Sequence, residues 1–88
     1  MRRHEAESEL HEELAALLAR LRPDLVAVCS GHCLTPKETE DVIYENALLL
    51  ARQWKGLEPA EREDRLLGAV DQHCRRLTER RMAKNPEN

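Results

Sequence analysis

The chain has 88 residues and a net charge of −3; 41% of its residues are hydrophobic, and Tyr44 and Trp54 are its only Phe, Tyr or Trp residues. A single domain of this size has a thin core, and one built from leucine, valine and alanine favours packed helices over a β-sheet. No apolar run approaches the roughly 18 residues of a membrane span, and Met1-Arg2-Arg3 leads into glutamates. The sequence therefore predicts a cytoplasmic protein.

The first half of the chain predicts two helices separated by a proline. Leucines recur at steps of three and four along the first helix, namely Leu10, Leu14, Leu17, Leu18 and Leu21. Arg22-Pro23 then predicts the start of a second helix, because proline is favourable in a first turn and costly later. We expect this second helix to end near Leu34.

The second half predicts two further helices. Thr35-Pro36-Lys37-Glu38 is typical of a capped helix start, and this helix should run to about Lys55, closed by Gly56 in the left-handed conformation. Glu58-Pro59-Ala60 opens the last helix. Its apolar line contains Leu66, Leu67, Val70, Cys74 and Leu77.

These elements predict one all-α domain over residues 1–88, a small bundle of about four helices. Its core should span residues 14–81, with frayed ends at 1–7 and 85–88. The third and last helices should pack side by side. The residues expected to be buried are Leu25, Leu50, Trp54, Leu67 and Val70.

Three cysteines and nearby histidines raise the question of a metal site. Cys29 and Cys33 are four residues apart and should therefore lie on one helix face, and His73-Cys74 forms a second group. Thiolate and imidazole bind zinc, but the Cys-x-x-Cys spacing of common zinc modules is absent. Free cysteine is also among the most buried residue types. We expect free thiols without a cofactor, and a zinc site remains the alternative.

The charges are arranged in blocks. Residues 1–13 contain two arginines and five glutamates, and residues 58–64 contain four acids and one arginine. Residues 65–84 instead contain six basic and two acidic residues. A basic helix is typical of proteins that contact nucleic acid, although cations also stabilise the C-terminal end of any helix. The last helix therefore predicts weak, salt-sensitive binding to nucleic acid.

An ordered set of motifs lies between residues 22 and 45. In chain order they are Arg22-Pro23, Pro36, Glu40-Asp41, Val42-Ile43 and Glu45. This order, without a gap, resembles region 2 of extracytoplasmic-function sigma factors. In that family an Arg-Pro helix is followed by Pro-x-x-x-Glu-Asp, an apolar pair, one residue and Glu. The resemblance covers roughly residues 14–81 and is specific over residues 22–45.

The resemblance implies a region 2-like bundle that takes part in transcription initiation. Its acidic helix would dock on a coiled coil of the largest RNA polymerase subunit, through Glu38, Asp41 and Glu45. The basic end of its last helix would follow DNA phosphates. That role would fall to Arg75, Arg76, Arg80 and Arg81. An anti-sigma-like protein would be a further partner.

The chain also departs from the family pattern. Ala47 and Ala51 stand where the family has a bulky aromatic residue and tryptophan, and Tyr44 replaces glutamine. The loop that should approach bases carries the four acids of residues 58–64. The chain ends where the family continues into a linker and a helix-turn-helix domain. We therefore expect a domain that stands alone and does not direct promoter-specific initiation.

Three functions remain open from the sequence. The first is a sigma-like domain that binds polymerase, with at most weak DNA binding. The second is a sigma-derived module that binds another protein or itself through exposed apolar faces. The third is a zinc or thiol sensor using Cys29, Cys33, His73 and Cys74. An enzyme is not predicted, because no nucleophile is arranged with an activating base and an orienting acid.

Overall fold

The computed structural model describes the backbone of residues 2–84 and the side chains of residues 9–82. It contains three helices, α1 (Arg2–Gly31), α2 (Pro36–Gln53) and α3 (Pro59–Lys84), with a short 3-10 turn at Trp54–Gly56. The all-α prediction is confirmed over these residues, which include no strand. The expectation of about four helices is wrong, since three are present. Of the ends expected to fray, residues 2–7 belong to α1, whereas residue 1 and residues 85–88 lie outside the described part of the chain.

The missing fourth helix is explained by α1, which continues through Pro23. A proline inside a helix costs about 3 kcal/mol, since the carbonyl of Ala19 loses its amide partner. Against this cost, α1 buries one leucine-rich row at a spacing of four residues on both sides of Pro23. The row consists of Leu17, Leu21, Leu25 and Cys29. Burial contributes roughly 1.5–3 kcal/mol for each leucine, so packing outweighs the proline.

α1 ends in a Schellman motif that the sequence did not predict. The amide of Leu34 donates to the carbonyl of Cys29 at 3.2 Å, and the amide of Cys33 donates to that of Ser30 at 2.9 Å. Cys33 supplies the left-handed residue, with φ of 63°. The expected left-handed Gly56 is wrong, because no described glycine has positive φ. The expectation that Cys33 shares a helix face with Cys29 is also wrong, since Cys33 lies beyond the helix end.

The start of α2 follows the predicted capping box. The hydroxyl of Thr35 accepts from the amide of Glu38 at 3.2 Å, and the carboxylate of Glu38 accepts from the amide of Thr35 at 2.9 Å. Pro36 occupies the first turn, where its missing N–H costs nothing. α2 therefore begins where the local sequence predicted.

The core lies where all three helices meet, and α2 packs beside α3 as expected. Leu25, Leu50, Trp54 and Val70 are buried as predicted. The prediction for Leu67 is wrong, because it is only partly buried, while its neighbour Leu66 is fully buried. α3 thus buries Leu66, Val70 and Cys74, a row with the same spacing of four residues as the row on α1.

Candidate functional site

The exposed side of α2 carries an unusual mixture of side chains. Its inner side packs in the core, and its outer side exposes Tyr44 (65%), Leu48 (48%) and Leu49 (54%). Large apolar side chains that share one exposed helix face are a common mark of protein contact sites. We call the exposed row at Asp41, Tyr44, Leu48 and Arg52 of α2, continued by Lys55 in the 3-10 turn that follows, the outer strip; Glu45 and Leu49 flank it.

The outer strip is acidic at one end and basic at the other. Asp41 and Glu45 lie in the N-terminal part, and Arg52 and Lys55 lie at the C-terminal end. Asp41 has one weak partner, Lys37, at 3.4 Å one turn earlier. Among residues 9–82 no ion pair involves Glu45, Arg52 or Lys55. These charges are therefore available to an external partner.

The three residues suggested for polymerase binding differ in their surroundings. Asp41 and Glu45 are exposed on α2. Glu38 is half-buried; its carboxylate belongs to the capping box and also forms an ion pair with Arg81 of α3. Glu38 therefore serves the helix start and the α2–α3 contact, whereas Asp41 and Glu45 present their charge to solvent.

The four arginines suggested for nucleic acid also fall into two pairs. Arg75 contacts Asp71 within α3 at 3.2 Å, and Arg81 pairs with Glu38. Arg76 and Arg80 instead border a groove of about 260 Å³ between α2 and α3. The opposite wall of this groove carries Glu45, so an acid lies across the groove from these two arginines, although no ion pair joins them within residues 9–82.

Two residues of the motif at positions 22–45, Arg22 and Glu40, also have a structural role. Arg22 on α1 forms an ion pair with Glu40 on α2, and both side chains are about half exposed. The hydrogen bond to Glu40 raises the pKa of the Arg22 guanidinium, and its charge adds to the shift. Arg22 and Glu40 thus join the two helices on which the motif lies.

A buried amide determines the position of His73. Asn46 donates from Nδ2 to the carbonyl of Val42 at 2.7 Å and contacts Nδ1 of His73 at 3.0 Å. With both amide hydrogens of Asn46 donated, His73 Nδ1 accepts and Nε2 carries the proton. The hydrogen bond between Asn46 and His73 therefore joins α2 to α3. No local sequence pattern marks this contact, because the two residues are 27 positions apart.

Cys29 and Cys74 meet in the core, and Cys33 does not join them. The sulfur atoms of Cys29 and Cys74 are 3.7 Å apart, and both side chains are fully buried. Burial raises the pKa of the Cys74 thiol to about 12, with the hydrogen bond to Cys29 adding to the shift. Cys33 is exposed. Within the described residues no three His, Cys, Asp or Glu side chains are grouped to hold a metal ion.

We expect one thiol of three to react with a chromogenic disulfide reagent in the native protein, and all three in denaturant. The thiolate is the reactive form, and only Cys33 is exposed. The released chromophore gives the count, and peptide mass spectrometry gives the site. Cys33→Ser should react at no position when native. Native reaction at Cys29 or Cys74 would show that the α1–α3 contact opens.

His32 and Asp71 form a pair that the sequence did not reveal. Nε2 of His32 lies 3.0 Å from Oδ1 of Asp71, and the other oxygen of Asp71 faces Arg75. The hydrogen bond from His32 lowers the pKa of the Asp71 carboxyl. The pair connects the end of α1 to the middle of α3 and leaves Asp71 held between His32 and Arg75.

Trp54 is enclosed by charged side chains at the corner between α2 and α3. Its Nε1 donates to Glu13 at 2.8 Å, and the guanidinium of Arg62 lies 4.2 Å from the ring centroid. Arg62 also donates to the carbonyl of Trp54 at 2.9 Å. Since Trp54 is only 4% exposed, its ring is not available to stack on a base.

No family model, curated protein or solved structure matches the chain. The fold itself defines a small all-helical protein, and none of the helices in residues 2–84 is long and apolar enough to cross a membrane. The likeness to sigma region 2 therefore depends on the motifs at residues 22–45.

Proposed function

We propose that this protein is a sigma-like domain that binds RNA polymerase through the outer side of α2. The observation that carries the proposal is the exposure of Asp41 and Glu45 beside the apolar side chains of Tyr44 and Leu48. A coiled coil with basic residues is complementary to such a surface, because apolar contact supplies affinity and opposite charges supply orientation. In the family that the motifs resemble, this helix docks on the largest polymerase subunit.

The capped start and the buried inner side of α2 hold its outer surface in place, which suits a docking role. α2 is capped at its start and buries Val42, Ile43 and Leu50 against the other two helices. A helix held in this way presents its outer side chains without first having to become ordered, which lowers the entropic cost of binding. Asp41 and Glu45 therefore occupy defined positions on a rigid surface.

Nucleic-acid binding is a minor part of the proposed function. Arg75 and Arg81 already have carboxylate partners, and Arg76 and Arg80 lie across a groove from Glu45. Phosphate binding requires uncompensated cations, and base capture requires exposed aromatic faces. We propose weak, salt-sensitive DNA contact that does not direct initiation at a particular promoter.

A second candidate function is favoured by the apolar part of the same surface. Leu48 and Leu49 are each about half exposed. They would equally suit a protein other than polymerase, such as an anti-sigma-like partner. On this alternative the protein is a sigma-derived interaction module that no longer binds polymerase.

The proposal is tested with the charge-reversed variant Asp41→Lys/Glu45→Lys in pull-downs with core RNA polymerase. Juxtaposed like charges cost several kcal/mol, so we expect binding to fall by about a hundredfold or more. The matched control is Asp64→Lys/Glu79→Lys, which makes the same change of net charge at exposed positions of α3 and should bind as the wild type does.

Circular dichroism should show unchanged helix content in both variants. Equal binding by the wild type and the α2 variant would remove this surface from the mechanism. Failure of the wild type itself to bind polymerase would favour the second candidate function.

A further inference from the structure

The outer strip has a symmetry that polymerase binding through Asp41 and Glu45 does not require. Its five positions, 41, 44, 48, 52 and 55, are separated by steps of three, four, four and three residues. This spacing reads the same in both directions from Leu48. The charges at equivalent positions have opposite signs. The acid Asp41 lies seven residues before Leu48, and the base Lys55 lies seven residues after it.

Such a strip is complementary to itself in an antiparallel arrangement. A two-fold axis through Leu48 places Asp41 opposite Lys55 of a second copy, and Tyr44 opposite Arg52. The two Leu48 side chains meet on the axis. In an isologous contact the Asp41–Lys55 and Tyr44–Arg52 pairs each occur twice, and the Leu48–Leu48 contact occurs once. A parallel arrangement would instead place Asp41 against Asp41 and Lys55 against Lys55, which is repulsive.

The surroundings of the strip fit this arrangement. A groove of about 520 Å³ opens beside Arg52, and its walls include Leu10, Ala51 and Leu57. The ring of Tyr44 from a second copy would lie at this groove, between apolar walls and the guanidinium of Arg52, where cation–π attraction is favourable. Within residues 9–82 neither Arg52 nor Lys55 has an ion-pair partner that such a contact would have to displace.

We infer that the protein forms an antiparallel homodimer through the outer strip, which runs along α2 and ends at Lys55 in the 3-10 turn. The inference does not depend on polymerase binding, but it uses the same surface, so a dimer would hide Asp41 and Glu45 from any other partner. A contact of one short helix with its copy is smaller than the roughly 1,200–2,000 Å² of a stable interface, so we expect a dimer that dissociates on dilution.

Sedimentation equilibrium of charge-exchanged variants tests the inference, with the purified 88-residue protein and no other component. The wild-type mass should rise from 10.2 kDa toward twice that value as the concentration increases from micromolar to near millimolar. Asp41→Lys and Lys55→Asp should each weaken association by at least about tenfold, because each variant opposes like charges twice. An equimolar mixture of the two variants should associate again, since each lysine then faces an aspartate.

Asp64→Lys, at an exposed position on α3, serves as the control and should associate as the wild type does. A second readout is the Leu48→Cys variant in a Cys33→Ser background, which should cross-link to itself on mild oxidation. A wild type that stays at 10.2 kDa throughout, or a mixture that remains monomeric, would overturn the inference. Since Lys55 lies outside the residues proposed for polymerase, Lys55→Asp should still bind polymerase, and the two proposals can therefore fail separately.

Discussion

Replacing Leu50 with alanine should lower the free energy of unfolding by about 2–4 kcal/mol. Leu50 is 2% exposed and lies on the inner side of α2, among the buried residues shared by all three helices. Truncation removes buried methyl groups and leaves a space that the neighbouring helices fill only in part. A chain of this length has a total stability of about 4–13 kcal/mol, so the loss is a large share of it.

The adjacent leucine supplies a matched control. Leu49 is 54% exposed, and Leu49→Ala makes the same chemical change in the same helix. It should alter stability by no more than about 0.5 kcal/mol. Urea unfolding followed by circular dichroism measures both variants. A loss below about 0.5 kcal/mol for Leu50→Ala, or a larger loss for Leu49→Ala, would show that the inner and outer sides of α2 have been assigned the wrong way round.

Replacing Pro23 with alanine should raise the free energy of unfolding by about 2 kcal/mol. The structure has Pro23 inside a continuous α1, where proline costs about 3 kcal/mol, and alanine restores the hydrogen bond to the carbonyl of Ala19. About 1 kcal/mol of this gain is offset, because alanine increases the freedom of the unfolded chain. The exposed Ala27, one turn later, gives the converse test, since Ala27→Pro should destabilise by about 3 kcal/mol.

The sign of the Pro23 effect separates two structures of the chain. If a new helix began at Arg22-Pro23, proline would be favourable there, and alanine would be neutral or destabilising. Urea unfolding of Pro23→Ala therefore measures directly whether α1 is continuous. A stabilised variant supports one long helix, and a destabilised variant supports the break that the local sequence suggests.

The starts of α2 and α3 could be predicted from local sequence, although the start suggested at Arg22-Pro23 was wrong. The Thr35 cap with Glu38 and the start of α3 at Pro59 both lie as the sequence predicted. Caps and first-turn prolines act within about four residues, so a short window of sequence contains all the interacting groups. For the same reason the acidic, exposed character of Asp41 and Glu45 could be predicted from helix periodicity.

The pairing of the charged and polar side chains could not be predicted in this way. Arg81 meets Glu38 across 43 residues, and His32 meets Asp71 across 39. No local pattern marks such contacts, since they arise only when α3 packs on the other two helices. These pairings decide which candidate residues remain available, because Glu38 and Arg81 are occupied while Asp41 and Glu45 are exposed.

The sequence by itself determined that this protein is helical, where α2 and α3 begin, and that the outer side of α2 is acidic at its start. Only the tertiary structure decided that α1 passes through Pro23, that Leu66 rather than Leu67 is fully buried, and that Cys29 meets Cys74. The physical reason is one of magnitude. Local preferences are worth about 1 kcal/mol at most positions and about 3 at a proline. The burial of a row of side chains is worth roughly 1.5–3 kcal/mol for each large one, so packing prevails wherever the two disagree.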